Sequence, residues 1–457
     1  MVARRVFAPA PPGRPAAFAW SHCTAARTER TSAADRVRRD HPPLRRVSCA
    51  RRKAVTRCLI CRSGRLERVL DLGRQPVSSH FARSPDATTR LYTLALAVCR
   101  GCGIVQLMQP VPHGDLVPPF DWITYREPET HLDRVVAHAC TLEGLHRGSA
   151  VVGLSVKDAT TLDRFRNAGF THVRSIDAQA ELGAGKADAG VESIQALFTP
   201  ERAQAIAERH GPADLVIARH VAEHAERPHE FMAALGMLLA PDGYLIVEVP
   251  DCRANLQRQD YTMIWEEHVL YFTPETLPQT LAAAGCVPVA ADIHPFPFED
   301  VIVLYARKDV ARSHSWDPQS VLRNIALATA YGAAFPDWTT RHRALLERFT
   351  ADGRRLAAYG AGHLTAAFIN FHGLADYFAC VIDDTAQKQG LFLPGCNLPI
   401  AARERLLAGD IGHCLLGLAP QIEDKVIANN AEFIARGGRF HSMFTDSPRS
   451  IRNLVAV

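Results

Sequence analysis

Two short cysteine pairs constrain this chain more than any other feature. Cys58-Leu-Ile-Cys61 and Cys99-Arg-Gly-Cys102 are separated by 37 residues. Each pair is a knuckle that aims two thiolates at one point, and two knuckles complete a tetrahedral four-sulfur site of the kind Zn2+ takes. Gly103, directly after the second pair, permits the tight turn a knuckle needs. A redox-active pair is the rival reading, but no strand–helix thioredoxin pattern follows either motif. With four sulfurs the metal has no open position, so zinc on Cys58, Cys61, Cys99 and Cys102 is expected to be structural. The other cysteines of the twelve are scattered. With no apolar signal segment, that usage points to a reducing compartment, expected to be the cytoplasm.

Charge narrows the choice of partners. The formal net charge is +4, but residues 1–57 hold 14 Lys and Arg against Glu29, Asp35 and Asp40, so the other 400 residues carry −7. A mildly acidic body argues against a zinc-ribbon protein that binds nucleic acid. No apolar run reaches the roughly 18 residues of a membrane span, so no membrane partner is expected. Residues 1–55, rich in Arg, Pro and Ala without an amphipathic period, read as a basic tail outside the folded part. The charge pattern leaves the oligomeric state open.

Beyond residue 113 strand and helix patterns alternate. Ala150–Leu154, His172–Asp177, Ala213–Ala218 and Tyr244–Pro250 read as strands, with helices at Thr160–Ala168 and Phe231–Leu239 between them. Such alternation implies a parallel, doubly wound sheet. Residues 318–349 read as helix interrupted near Pro336. Strand patterns then resume at Arg355–Tyr359, Ala379–Asp384 and Cys414–Leu418. The fold class is therefore α/β: a small zinc ribbon, a Rossmann-like domain and a second, smaller Rossmann-like domain.

Ligands of such sheets lie at the carboxyl ends of the strands, and three stretches fall there. Gly153-Leu-Ser155-Val-Lys-Asp158 is either a cofactor turn or an ordinary strand–helix turn, and Asp177 after the next strand could hold ribose hydroxyls. His220-Val-Ala-Glu223-His224 places two histidines and an acid at one strand end; His224 is the functional candidate, and His220 could simply cap the turn. In Trp265-Glu266-Glu267-His268-Val-Leu-Tyr271-Phe272 a carboxylate stands beside an imidazole. That pairing suits a general base near neutral pH, or a solvated loop with an aromatic anchor.

Together these motifs resemble the three-part sugar C-methyltransferases. The resemblance rests on the zinc pairs with Leu70-Asp-Leu-Gly-Arg-Gln-Pro76, on Glu267-His268…Tyr271-Phe272, and on Tyr359-Gly-Ala-Gly362…Val381-Ile-Asp383…Lys388-Gln-Gly390. It implies a basic tail (1–55), a zinc-binding domain (56–112), a class I methyltransferase domain (113–305) and a C-terminal substrate-binding domain (306–457). It implies S-adenosyl-L-methionine at Gly153, Ser155, Asp158 and Asp177. The implied substrate is a nucleotide-linked keto-deoxysugar, held by Tyr271, Tyr359, Gly360, Gly362, His363 and Asp383. The implied chemistry is enolate formation followed by attack on the sulfonium methyl. His268 would be the base, Glu267 would orient it, His224 would steady the enolate, and Tyr125 would be an active-site tyrosine. The first cofactor loop departs from the family pattern: Gly153 replaces an acid, and Ser155 and Ala159 replace glycines. The alternative expectation is accordingly a sugar-binding relative that has lost methyl transfer.

Overall fold

The computed structural model describes residues 55–123, 127–296, 299–311 and 314–455. The expected tail up to residue 54, and Tyr125, lie outside the described residues. β1 (Leu66–Pro76) and β2 (Leu91–Cys99) pair antiparallel, and β3 (Val105–Leu107) returns along β2. Leu94 to Cys99 are all buried, so this ribbon needs cover on both faces. The helix Pro318–Phe349 covers one of them, with Ala328 and Tyr331 in the same apolar cluster as Leu70, Leu96 and Leu107. Contact is close: a Cβ on Gly332 would lie 1.8 Å from the Val69 carbonyl oxygen. The expected interruption near Pro336 does not occur, and the helix runs through it. Proline removes one helical N–H, but Tyr331 before it and Leu345 and Leu346 after it are buried, which holds the two halves in line.

The middle sheet contains β4 (Ala150–Gly153), β5 (His172–Ser175), β6 (Ala213–Arg219) and β7 (Leu239–Pro250), parallel in the order β5-β4-β6-β7. β8 (Leu270–Tyr271) leaves this sheet and joins the first one, antiparallel to β3. β9 (Cys286–His294) and β10 (Val301–Lys308) complete the middle sheet, β10 antiparallel to β7 and β9 antiparallel to β10. The wholly parallel sheet expected from the alternation is corrected at this edge, because the connection 295–300 is too short for a crossover helix. The third sheet is parallel throughout, in the order β13-β12-β11-β14-β15: β11 (Arg355–Tyr359), β12 (Phe378–Ile382), β13 (Ile400–Ala401), β14 (Ile411–Leu416) and β15 (Arg439–Ser442). Among the described residues no helix is long and apolar enough to cross a membrane.

A methyl group at residue 332 tests the contact between helix and ribbon. Gly332→Ala should destabilise the folded protein by about 1–3 kcal/mol, as overpacking does, seen as a lower midpoint in scanning calorimetry. An unchanged midpoint would mean that the helix does not sit against Val69.

Candidate active site

The four cysteines converge. Cys58 Sγ lies 3.6 Å from Cys102 Sγ, and Cys61 Sγ lies 3.4 Å from Cys99 Sγ. Zinc–sulfur bonds of about 2.3 Å put tetrahedral sulfurs about 3.8 Å apart, so the spacing fits. Backbone N–H groups of Ile60 and Gly101 point at Cys58 Sγ (3.3 Å) and Cys99 Sγ (3.2 Å). Such donors stabilise thiolate charge and fix the knuckles.

Two cavities open where β4, β6 and β7 end. The smaller, about 330 Å³, is bordered by Leu154, Ser155, Val156, Ile176, Asp177 and Ile194. Its polar lining comes from Ser155, Ser175 and Asp177; Asp177 Oδ1 also caps the following turn by accepting the N–H of Gln179 and of Ala180, both at 2.9 Å. The larger cleft, about 630 Å³, shares Val156 with it. All three sheets' neighbourhoods contribute to it: Ser79 from the ribbon side, His224 and His268 from the middle, Gly362 and Gly417 from the third sheet.

The first loop is built differently from the expectation. Asp158 is fully buried, and its carboxylate accepts the N–H groups of Leu154 (2.9 Å), Ser155 (2.8 Å) and Arg219 (3.0 Å). Burial pushes its pKa up to about 7. It borders neither cavity; its work is to fold the loop, which corrects its expected cofactor role. Gly153 is likewise a packing residue, since a Cβ there would lie 2.8 Å from Asp158 Cβ and from Leu162 Cδ1. Ser155 does reach the smaller cavity, with its side chain turned to accept the Lys157 N–H. Its backbone is extended (φ −138°) and Ala159 is helical (φ −53°), so neither position demands glycine.

The histidines gather at the larger cleft. His224 sits on the turn Ala222–His224 after β6, His268 on the loop before β8, and a hydrogen bond from Val269 N–H to the Glu223 carbonyl (2.8 Å) ties the two loops together. Their rings stand perpendicular with centroids 4.8 Å apart. Burial lowers the pKa of both, that of His268 well below the usual value, so both are neutral at pH 7. Glu267 borders the same cleft, but no hydrogen bond joins it to His268, so the orienting role is not what the geometry supports. Burial, followed by repulsion from Glu266, pushes its pKa up to about 8. His220 is cationic: burial opposes its charge, but Glu223 and Glu248 outweigh that and raise its pKa to about 10. Its backbone is left-handed (φ 49°), an uncommon conformation for histidine. Lys157, also in the cleft wall, pairs with Glu127 at 2.7 Å.

Of the expected substrate residues, only Gly362 and His363 border the cleft. Even His363 is engaged: Nδ1 lies 3.1 Å from Ser78 Oγ, Nε2 lies 3.0 Å from the Thr262 carbonyl, and the ring stacks on Trp265 at 3.6 Å. Tyr271 is buried and donates its hydroxyl to the Trp265 carbonyl. Tyr359 donates to Asp384. Asp383 accepts the Ala361 N–H and the Lys388 ammonium, which closes the turn containing Gly360 (φ 101°). These four residues are therefore corrected to structural roles. Sequence reasoning gave no site role to Lys157, Glu127 or Glu299; Lys157, within the quoted first loop, was the one position with a local signal.

Comparison with known proteins agrees with this layout. Residues 58–116 match a zinc binding domain, 146–291 a methyltransferase domain and 306–444 a C-methyltransferase C-terminal domain. C-methyltransferase NovU of Streptomyces niveus is 30% identical over 404 residues, 85% of this chain and 95% of that protein. The chain belongs to the C-methyltransferase family. A ubiquinone biosynthesis O-methyltransferase of Caulobacter sp. (strain K31) is 32% identical over 108 residues, 23% of this chain and 42% of that protein. A 1,6-didemethyltoxoflavin-N1-methyltransferase of Burkholderia thailandensis, solved with S-adenosylhomocysteine, is similar at 17% identity and TM-score 0.30, covering 47% of this chain and 96% of that one.

This C-methyltransferase is a class I enzyme with an S-adenosylmethionine-type methyltransferase domain, and its four close cysteines lie in its zinc binding domain. The smaller cavity has apolar surface at Ile176 and Ile194, of the kind a base would need, and a carboxylate at Asp177, of the kind ribose hydroxyls would need. Asp177→Asn should weaken S-adenosylmethionine binding about tenfold, about 1.4 kcal/mol, in calorimetry. Unchanged affinity would place the nucleoside elsewhere. Cys99→Ser should release the zinc and lower the melting temperature, because structural zinc contributes folding energy; full zinc content by metal analysis would contradict the four-sulfur site.

Proposed function

We propose that this enzyme methylates a nucleotide-linked keto-deoxysugar at the carbon beside the keto group, with His268 removing the proton from that carbon. The reading rests on one observation, the two buried neutral imidazoles of His224 and His268 at the larger cleft. Carbon is a poor nucleophile, so it must first become an enolate, and that needs a proton acceptor plus charge stabilisation. When bound, S-adenosylmethionine supplies an electrophilic methyl group on sulfur.

The remaining work belongs to the chain's own residues. His268, uncharged because it is buried, has a lone pair free to accept the proton. His224, beside it, shares the proton or donates a hydrogen bond to the developing oxyanion. Lys157 and His220, each paired with a carboxylate, are cleft-lining N–H donors able to hydrogen-bond the enolate oxygen. Glu267, with its pKa raised to about 8, is mostly a neutral acid at pH 7 and offers a donor rather than an orienting carboxylate. Gly362 and Gly417, just past the ends of β11 and β14, border the cleft, and strand ends of this kind are where nucleotides bind. That supports placing the substrate's nucleotide against the third sheet. We read 56–112, 113–305 and 306–457 as the working modules, the last two forming the walls of the cleft and the first adding Ser79 to its rim. The ten described cysteines are unpaired, in keeping with a cytoplasmic site of action.

The pH profile follows from the directions of the shifts. His268 must be neutral, and its pKa is depressed, so kcat should fall only below about pH 6.5. Glu267 must hold its proton, so kcat should fall again as pH rises through about 8. His268→Gln should lower kcat about 10²- to 10⁴-fold while leaving S-adenosylmethionine affinity unchanged. An acid limb lying above pH 7, or a His268→Gln enzyme of near-normal kcat, would remove His268 from this role.

A further inference from the structure

Among the described residues, Glu223 is one of few side chains whose polar atoms are all buried without a hydrogen-bond partner. It is 1% exposed, and both carboxylate oxygens are buried without a hydrogen-bond partner. Its nearest charged neighbours stand off, His220 Nδ1 at 3.6 Å and His224 Nε2 at 4.0 Å. His224 is 5% exposed, and its Nδ1 also lacks a partner. A carboxylate removed from water without donors is costly and is normally kept only where a charge partner compensates it. The third member is close by: one donor atom each from Glu223, His224 and His268 lies within 4.8 Å of the others. The main-chain bond from Val269 to Glu223 holds the two contributing loops in this register.

We propose that Glu223, His224 and His268 form a second metal site, taking a divalent ion such as zinc or cobalt(II), distinct from the four-sulfur site. Two imidazoles and a carboxylate are a donor set for borderline ions. Bonds near 2.0–2.2 Å need tetrahedral donors about 3.4 Å apart, so the side chains close in by about 1 Å. All three residues border the larger cleft, which leaves a fourth position open to it. The site's consequence rests on the function proposed above: an ion on His268 takes the lone pair that would receive the substrate's proton. The ion therefore inhibits methyl transfer, and protons and the ion compete for one imidazole.

The test uses the full chain with its knuckle zinc in place, titrated with Co2+ alone and followed by calorimetry and by the visible ligand-field spectrum. One further equivalent per chain is expected beyond the knuckle metal, with imidazole-type rather than thiolate absorption. Glu223→Gln and His224→Gln should each weaken this equivalent at least tenfold, while S-adenosylmethionine binding shows that the variants fold. No added equivalent, or one indifferent to both substitutions, overturns the site. Methyl transfer to a 4-keto nucleotide-sugar is then measured with and without the ion. If the ion binds as described and turnover is unaffected, the site stands and the base role of His268 falls. If no ion binds, the site falls and the base role is untouched.

Discussion

The active-site wall hangs on one buried carboxylate. Glu248, on β7, is completely buried and accepts two hydrogen bonds from Arg219 (both 3.1 Å), one from His220 (2.9 Å) and one from His131 (3.0 Å). Burial works against its charge, yet these donors hold its pKa well below the usual range. An unpaired charge at that depth would be severely destabilising, so Arg219 and His220 have little freedom to be elsewhere. Arg219 in turn reaches back to the Lys157 carbonyl at 2.6 Å. One carboxylate thus ties the end of β6 to β7 and to the first loop. The left-handed conformation of His220 is the local cost of aiming its ring at that point.

A second junction closes the cleft from the other side. Glu266 accepts the Ser78 N–H at 2.5 Å and lies 3.5 Å from His363 Nδ1, while Trp265 stacks on the His363 ring. Ser78 lies in the connection between β1 and β2, Trp265 and Glu266 precede β8, and His363 opens the first helix of the third sheet. Residues from three sequence modules therefore meet within one hydrogen-bonded group, directly behind His268. β8 strengthens the same junction by belonging, in sequence, to the middle module and, in space, to the ribbon's sheet. The junction reaches His268 through Trp265, whose carbonyl accepts the His268 N–H at 3.3 Å and whose ring lies beside the imidazole.

Legibility in the sequence followed the range of the interactions involved. The zinc ligands were readable because each knuckle is a local turn with its donors three residues apart. Asp177 was placed just past a strand by the sequence, and it borders the smaller cavity beyond β5. The clustering of His224 and His268 is made by the hydrogen bond from Val269 to Glu223, which ties the turn after β6 to the loop before β8 and which no local pattern signals. The roles of Tyr271, Tyr359, Asp383 and Asp158 were misread for a shared reason: each polar group finds an internal partner, in Trp265, Asp384, Lys388 and Arg219 respectively, that periodicity cannot reveal. The antiparallel edge made by β9 and β10 escaped because alternating apolar strands look alike whichever way they run. Ser155 and Ala159 show the reverse case. They resemble losses from a glycine-rich loop, yet the backbone angles there are open to any residue.

What the sequence determined by itself was therefore the list of parts: a four-thiolate site, strands and helices of an α/β chain, and the acids and imidazoles available at strand ends. Short-range sterics and hydrophobic period set these, and both are written in neighbouring residues. Only the tertiary structure decided which side chains face the cleft, which are spent on folding, and which carry charge. Those outcomes depend on desolvation and on partners drawn from residues scores of positions apart. Burial keeps His268 neutral, Glu223 and Glu248 keep His220 charged, and Glu223 is left buried with no hydrogen bond to its oxygens.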